Sequence, residues 1–166
     1  MKTDGVAGAA ASLPNAVGKR VAIVAARFYA QVADWLVDGA ARAVHVCGVA
    51  EADVERFDVP GCFELPLACK QLLESGHFDA CVALGAVIRG ETAHFDLVAG
   101  ECARGIMDVA LDTGLPIGFG VVTTDTLAQA EERADPRRGD KGYHAALAAL
   151  ALLEVVPATP RAGFRT

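Results

Sequence analysis

The sequence lacks the features that mark membrane proteins and nucleic-acid-binding proteins. No apolar run among its 166 residues approaches the roughly 18 residues that a membrane-spanning helix needs. Basic residues are in deficit, with 15 Lys and Arg against 21 Asp and Glu, for a formal net charge of −6. Broad binding to nucleic acid or to anionic membranes needs a basic field. The sequence therefore predicts no nucleic-acid and no membrane partner, and any anion site must be local.

Cysteine is present but lacks the spacing of a structural framework. The five cysteines are odd in number and include no Cys-x-x-Cys pair, which favours reduced thiols in a core over disulfides or a zinc site. They are Cys47, Cys62, Cys69, Cys81 and Cys102. No His or Cys pair has metal-ligand spacing, so we expect no metal. Residues 1–19 lack the apolar stretch of a signal peptide, and we expect a cytoplasmic protein.

Hydrophobic residues are abundant and have to be buried in protein. They make up 53% of the chain, and the mean hydropathy is +0.34. A parallel sheet covered on both faces and large subunit interfaces can both bury such a surplus. The length fits one domain. We expect a flexible N-terminal segment over residues 1–19, a single domain over 20–156 and a short C-terminal tail over 157–166.

Strand-like and helix-like segments alternate along the chain. Short apolar runs predict strands at Arg20–Ala26, Val54–Val59, Ala80–Val87 and Ile117–Thr123. Helical spacing and helix-end residues predict helices at Tyr29–Val44, Leu65–Glu74, Phe95–Asp112, Thr126–Ala134 and Gly142–Val155. The alternation predicts an α/β protein with three α/β/α layers around a doubly wound, four-stranded parallel sheet of the flavodoxin-like kind.

Ligands bind such sheets beyond the carboxyl ends of the strands, and the unusual residues of this sequence fall there. Phe28 follows the first predicted strand, Gly61–Glu64 the second, Arg89–His94 the third and Thr123–Asp125 the fourth. A ligand site is therefore predicted where these loops converge.

The segment Gly85–His94 (GAVIRGETAH) runs from a predicted strand into a helix predicted to begin near Thr92. A helix N-terminus can hold a phosphate, although an ordinary strand-to-helix loop fits the segment equally well. The chain has no Walker A lysine and no Gly-x-Gly-x-x-Gly, so neither a nucleoside triphosphate nor a dinucleotide is implied. His94 is either a structural histidine or a proton donor and acceptor, since an imidazole ordinarily titrates near neutral pH.

Four other residues each have a structural and a functional interpretation. Glu64 opens a helix, where the dipole favours a carboxylate, or it accepts hydrogen bonds from ligand hydroxyls. Phe28 packs in a core or stacks on a planar ligand. Arg133 and Lys141 are solvated cations or together complete a phosphate site.

The motifs that contain these residues resemble the 6,7-dimethyl-8-ribityllumazine synthase family over roughly Arg20 to Leu153. They occur in family order: Arg27-Phe28, Val59–Pro66, Leu84–His94, Gly118–Thr124, Gln129–Arg133 and Lys141-Gly142. The resemblance implies a transferase that catalyses the penultimate step of riboflavin biosynthesis. Such an enzyme condenses 5-amino-6-(D-ribitylamino)uracil with 3,4-dihydroxy-2-butanone 4-phosphate through imine formation and phosphate elimination. It releases the lumazine, phosphate and water, without a metal or an organic cofactor.

The resemblance also implies roles for individual residues. His94 would donate and accept the protons. The pyrimidine ring of the uracil substrate would stack on Phe28. Its ribityl chain would be bound by the backbone of Cys62 and Phe63 with the Glu64 carboxylate. Its uracil side would be lined by Ala86, Val87 and Ile88. The phosphate of the second substrate would be received by Glu91, Thr92 and Arg133. Arg133 and Phe119 would enter from the neighbouring subunit, with Lys141 close by.

The family further implies a homo-oligomer with active sites shared between adjacent subunits. Pentamers, decamers and icosahedral shells remain open, and riboflavin synthase is a candidate partner. Tyr29, Cys62 and Asp140 depart from the family pattern; a thiol at Cys62 could be reactive, and Asp140 could weaken local anion binding. The alternatives are a non-catalytic protein that binds flavin or lumazine and a shell-forming paralogue. His94 together with Arg133 argues against a pure binding protein.

Overall fold

The computed structural model describes residues 12–155. The predictions for residues 1–11 and 157–166 lie outside this range. Within the expected N-terminal segment, Ala16 is buried and donates its N–H to the carbonyl oxygen of Cys47 at 2.8 Å.

Four parallel strands between residues 12 and 155 form one sheet in the order β2-β1-β3-β4. They are β1 (Val21–Ala26), β2 (Val54–Val59), β3 (Ala80–Ile88) and β4 (Ile117–Thr124). Every residue of β1 is buried, as is all of β3 except Ile88, which explains why both strands read as unbroken apolar runs. The strand order confirms the flavodoxin-like, doubly wound sheet.

Within the described residues, five helices cover the two faces of the sheet. They are α1 (Ala30–Val46), α2 (Leu65–Glu74), α3 (His94–Thr113), α4 (Leu127–Ala134) and α5 (Lys141–Val155). Helices α1, α4 and α5 pack on one face, and α2 and α3 pack on the other. Two 3₁₀ turns, Glu51–Asp53 and Cys62–Glu64, were not predicted, because three residues carry no recognisable periodicity.

The ends of two helices follow directly from the sequence. At the start of α4, the Thr126 hydroxyl accepts from the N–H of Gln129, and the Gln129 side chain accepts from the N–H of Thr126, so the predicted capping box is present. At the end of α3, Gly114 has a left-handed φ of 65°, which favours glycine.

Two apolar layers form the core, one on each face of the sheet. Leu36 and Leu150 are fully buried in the layer beneath α1 and α5, and Leu65 is fully buried in the layer beneath α2 and α3. All five cysteines are free and buried. None of the helices within residues 12–155 combines the length and the apolar character that crossing a membrane would require.

Candidate active site

A cavity of about 620 Å³ lies beyond the carboxyl ends of the strands, where the sequence predicted a ligand site. Most of the predicted site residues line it: Phe28, Cys62, Phe63, Glu64, Ala86, Val87, Ile88, Thr92 and His94. We call this the strand-end cavity. Glu91 is exposed in the same loop, between two residues that line the cavity, Gly90 and Thr92.

The floor of the strand-end cavity is built by close approach of two segments. The buried Cys62 thiol lies 3.6 Å from the carbonyl oxygen of Ala86 and donates a hydrogen bond to it. This approach requires glycine at position 85, since a Cβ there would lie 2.6 Å from the Cys62 sulfur and 2.9 Å from the Ala26 Cβ. The floor is therefore fixed by the packing of β3 against the turn that precedes α2.

Two aromatic side chains stand at the mouth of this cavity. Phe28 is 76% exposed and Phe63 is 61% exposed. The Phe28 ring meets the Tyr29 ring edge to face at 5.0 Å, and it does not pack in the core. Of the two interpretations of Phe28, the structure favours a ring that is free to stack on a planar ligand.

The loop from β3 delivers His94 as the first residue of α3. The N–H of His94 donates to the Thr92 hydroxyl at 3.3 Å, while Ala93 is the N-cap residue. The helix therefore begins two residues after Thr92 and one residue before the predicted range Phe95–Asp112. Because α3 has 20 residues and its N-terminus borders the cavity, the positive end of its dipole favours an anion beside His94.

The remaining predicted residues lie elsewhere on the chain. Phe119, Arg133 and Lys141 line a second cavity of about 550 Å³ along β4, the strand at the edge of the sheet. We call this the edge cavity. None of these three residues lines the strand-end cavity. The structure thus separates Arg133 from His94 within one chain.

Sequence reasoning missed His144, which also lines the edge cavity. It lies on α5 three residues after Lys141, a spacing that places two side chains on the same helix face. This spacing could have been noticed in the sequence. Within residues 12–155, no group of three or more His, Cys, Asp or Glu side chains is arranged to hold a metal ion.

The chain is similar to known proteins of one enzyme family. The family model for 6,7-dimethyl-8-ribityllumazine synthase matches residues 18–156. The chain belongs to this family. A curated relative, the 6,7-dimethyl-8-ribityllumazine synthase of Gemmatimonas aurantiaca, is 49% identical over 142 residues, which cover 86% of this chain and 87% of the relative. Membership in the lumazine synthase family confirms the predicted transferase of riboflavin biosynthesis.

Two departures from the lumazine synthase pattern have clear environments. The pKa of the Cys62 thiol is raised to about 12, mainly because the thiol is buried. The thiol is therefore protonated and weakly nucleophilic at neutral pH. The Asp140 carboxylate accepts two hydrogen bonds from Arg42, at 2.8 and 2.9 Å. Its charge is therefore balanced by Arg42 on α1.

Asp135 organises the turn between α4 and α5. This turn connects Arg133, near the end of α4, to Lys141, at the start of α5. The buried Asp135 carboxylate accepts hydrogen bonds from the side chains of Arg137 and Arg138 and from the backbone N–H of Arg137. The Arg137 side chain is the main cause that lowers the pKa of Asp135 to about 2. The two cations of the edge cavity thus flank a turn held by one ionised carboxylate.

Proposed function

We propose that this protein performs the lumazine synthase reaction at active sites shared between adjacent copies of the chain. The separation of His94 from Arg133 carries this proposal. His94, the proton-transfer group, and Arg133, the cation that binds the phosphate, line different cavities of one chain. A second copy that places its edge cavity against the strand-end cavity would complete the site.

The uracil substrate occupies the strand-end cavity. Phe28 stacks on the pyrimidine, and the exposed Glu64 carboxylate accepts hydrogen bonds from the ribityl hydroxyls beside the backbone of Cys62 and Phe63. The wall formed by Ala86, Val87 and Ile88 lies along the uracil ring.

The phosphate of 3,4-dihydroxy-2-butanone 4-phosphate binds at the N-terminus of α3. Glu91 and Thr92 contribute backbone N–H groups from the loop, and a guanidinium from the neighbouring copy, Arg133, pairs with the phosphate oxygens. Phe119 and Lys141 approach from the same neighbouring edge cavity.

His94 moves protons during the condensation. The 5-amino group attacks the ketone and water leaves to form an imine, phosphate is then eliminated, and ring closure releases a second water. Each step needs a proton donated or accepted, which an imidazole at the junction of the two substrates can supply. Alignment of the two reactants can contribute about 7–11 kcal/mol. No metal or organic cofactor takes part in this proposal.

A second copy of this chain covers the exposed apolar face of α2 and α3. Leu67, Leu97, Met107 and Leu111 are each more than half exposed there. An apolar surface of this kind marks an interface, and cyclic homo-oligomers are the common outcome. We propose a pentamer or an assembly of pentamers in the cytoplasm, where reduced thiols persist, with riboflavin synthase as a candidate partner.

The first experiment mixes the purified protein with both substrates and follows the lumazine chromophore by absorbance and fluorescence. We expect product. Saturable binding of lumazine or flavin without product would indicate the non-catalytic alternative.

The shared site is tested by mixing two impaired variants, with the phosphorylated substrate well below its KM in the Arg133 variant. Arg133→Ala should raise KM for the phosphorylated substrate about 10- to 100-fold, since a hydrogen bond to a charged group is lost. When subunits of His94→Ala and Arg133→Ala are co-assembled in equal amounts, roughly a quarter of the sites should combine an intact His94 with an intact Arg133. Activity of the mixture above that of either variant is therefore expected. If the mixed assemblies are no more active than the better of the two variants alone, both residues act within one chain and the shared site is wrong.

A further inference from the structure

Arg89 occupies the junction between the carboxyl end of β3 and the loop that carries the phosphate-site residues. Its backbone N–H donates to the carbonyl oxygen of Thr124 at 2.9 Å, which joins it to the end of β4. Its guanidinium carbon lies 4.2 Å from the centre of the Phe95 ring, and Phe95 lines the strand-end cavity. A planar guanidinium on an aromatic face is a favourable arrangement.

The Arg89 side chain bridges two carboxylates from different elements. Its Nε lies 3.2 Å from an oxygen of Asp125, and its Nη2 lies 3.4 Å from an oxygen of Asp96. Asp125 precedes α4, and its backbone N–H donates to the Gln129 side chain at 2.9 Å as part of the helix-start hydrogen bonding. Arg89 therefore pairs with one carboxylate held at the start of α4 and one on α3.

Asp96 has a position that matters for anion binding. It lies in the first turn of α3, two residues after His94. The helix dipole stabilises a carboxylate there, but a second negative charge in the same turn opposes a phosphate at the same N-terminus. A cation beside Asp96 offsets that repulsion.

We propose that Arg89 is a positioning residue for the phosphorylated substrate: it neutralises Asp96 at the N-terminus of α3 so that the helix can accept the phosphate. This inference rests on the proposed placement of the phosphate beside Thr92 and His94. Arg89 acts through Asp96, and contact between Arg89 and the substrate is not required.

The contribution of Arg89 to folding is small. Its side chain is 46% exposed, with Asp96 63% and Asp125 72% exposed, and ion pairs this open contribute little to stability. The effect of Arg89 therefore falls on substrate binding, and the melting temperature should be nearly unchanged.

The test is a double-mutant cycle on the assembled enzyme with both substrates. Arg89→Gln should raise KM for the phosphorylated substrate about 2- to 5-fold, the size of an exposed charge interaction, with KM for the uracil substrate unchanged. Addition of Asp96→Asn to that variant should return KM to near the wild-type value, because the charge that Arg89 offsets is then absent. The rise should shrink in 0.5 M salt, where charges are screened beyond roughly 4–5 Å.

The matched control is Arg20→Gln, which removes an exposed arginine just before β1 that pairs with Glu55, lies over the Phe78 ring and lines neither cavity. It should leave both KM values unchanged. If Arg89→Gln fails to fold, Asp96→Asn alone still tests the idea: its KM for the phosphorylated substrate should fall below the wild-type value, and an unchanged or higher KM would overturn the role of the Asp96 charge.

An unchanged KM in Arg89→Gln, an equal rise for both substrates, or a rise that Asp96→Asn does not reverse would overturn the role of Arg89. A wild-type protein that makes no lumazine would instead overturn the proposed function, so the two failures are distinguishable.

Discussion

The two cavities differ in how the chain builds them. The strand-end cavity is formed by strand ends and a helix N-terminus, and its floor is fixed by the contact of Cys62 with Ala86. The edge cavity presents exposed cations from α4 and α5, and a six-residue turn separates those helices. The first cavity is therefore shaped by core packing, whereas the second depends on the turn and on what a neighbouring copy places against it.

The largest loss of activity should come from His94→Ala, a substitution in the strand-end cavity. We expect kcat to fall about 10²–10⁴-fold, since a positioned general acid and base is removed. The control is His77→Ala, which removes an exposed histidine from the turn after α2. Steady-state kinetics at a fixed pH, with melting temperature measured in parallel, would test this. Unchanged turnover in His94→Ala would remove His94 from the mechanism.

Gly85→Ala should break the floor of the strand-end cavity while leaving the edge cavity intact. The new methyl group collides with the Cys62 sulfur and the Ala26 Cβ, so we expect a loss of about 1–3 kcal/mol in the free energy of unfolding. KM for the uracil substrate should rise more than KM for the phosphorylated substrate.

The matched control for that variant is Gly100→Ala on α3, where an added Cβ meets nothing within 4 Å. In dissociated subunits this substitution should stabilise the chain by about 0.5–1 kcal/mol, because alanine is the better helix residue. Denaturant unfolding measures both variants. Equal stability of Gly85→Ala and wild type would show that the floor can move.

Asp135→Asn should weaken the turn beside the edge cavity in a pH-dependent way. The folded-state pKa of about 2 lies below the ordinary value of 3.8, so the stabilisation is fully present above pH 4 and is lost as the pH falls through about 2. The gap in melting temperature between wild type and variant should narrow over that window.

Asp38→Asn is the control for the loss of one negative charge, since it removes an exposed carboxylate that pairs with Arg42 on α1. Melting curves recorded between pH 2 and pH 6 test the prediction. A gap for Asp135→Asn that stays constant over this range would contradict a role for its ionised form.

The smallest expected effect is at Cys62. With a pKa of about 12, only about one thiol in 10,000 is ionised at pH 8, so iodoacetamide should leave Cys62 unmodified in the folded protein. Urea-unfolded protein should be alkylated at all five cysteines, which provides the control. Rapid native labelling of Cys62, read by peptide mass spectrometry, would show that the floor opens.

The fold was predictable because local patterns decide most of it. A few adjacent residues determine each of these features: the apolar strands β1 and β3, the capping box at Thr126 and the helix end at Gly114. The predicted bounds of β2 and α2 equal those observed, and the other elements differ by at most two residues at an end.

The candidate site was predictable only in part. Motif residues identified both cavities, but no local pattern showed that Arg133 lies apart from His94, since that separation depends on the packing of α4 and α5 along β4. The ion pairs of Arg89 were also missed, because Asp125 lies 36 residues away in the chain. Such pairs depend on three-dimensional structure and leave no periodic trace in the sequence.

The contact of residues 15 and 16 with the rest of the domain has a practical consequence for protein engineering. Asn15 donates its N–H to the Glu154 carboxylate at 2.7 Å, and Ala16 is bonded to Cys47 at the end of α1. These contacts lie at the amino edge of the sheet, opposite the strand-end cavity. Affinity tags or cargo peptides fused before Asn15 or after Glu154 would therefore start from one corner of the domain. That corner lies on the opposite side of the domain from the strand-end cavity.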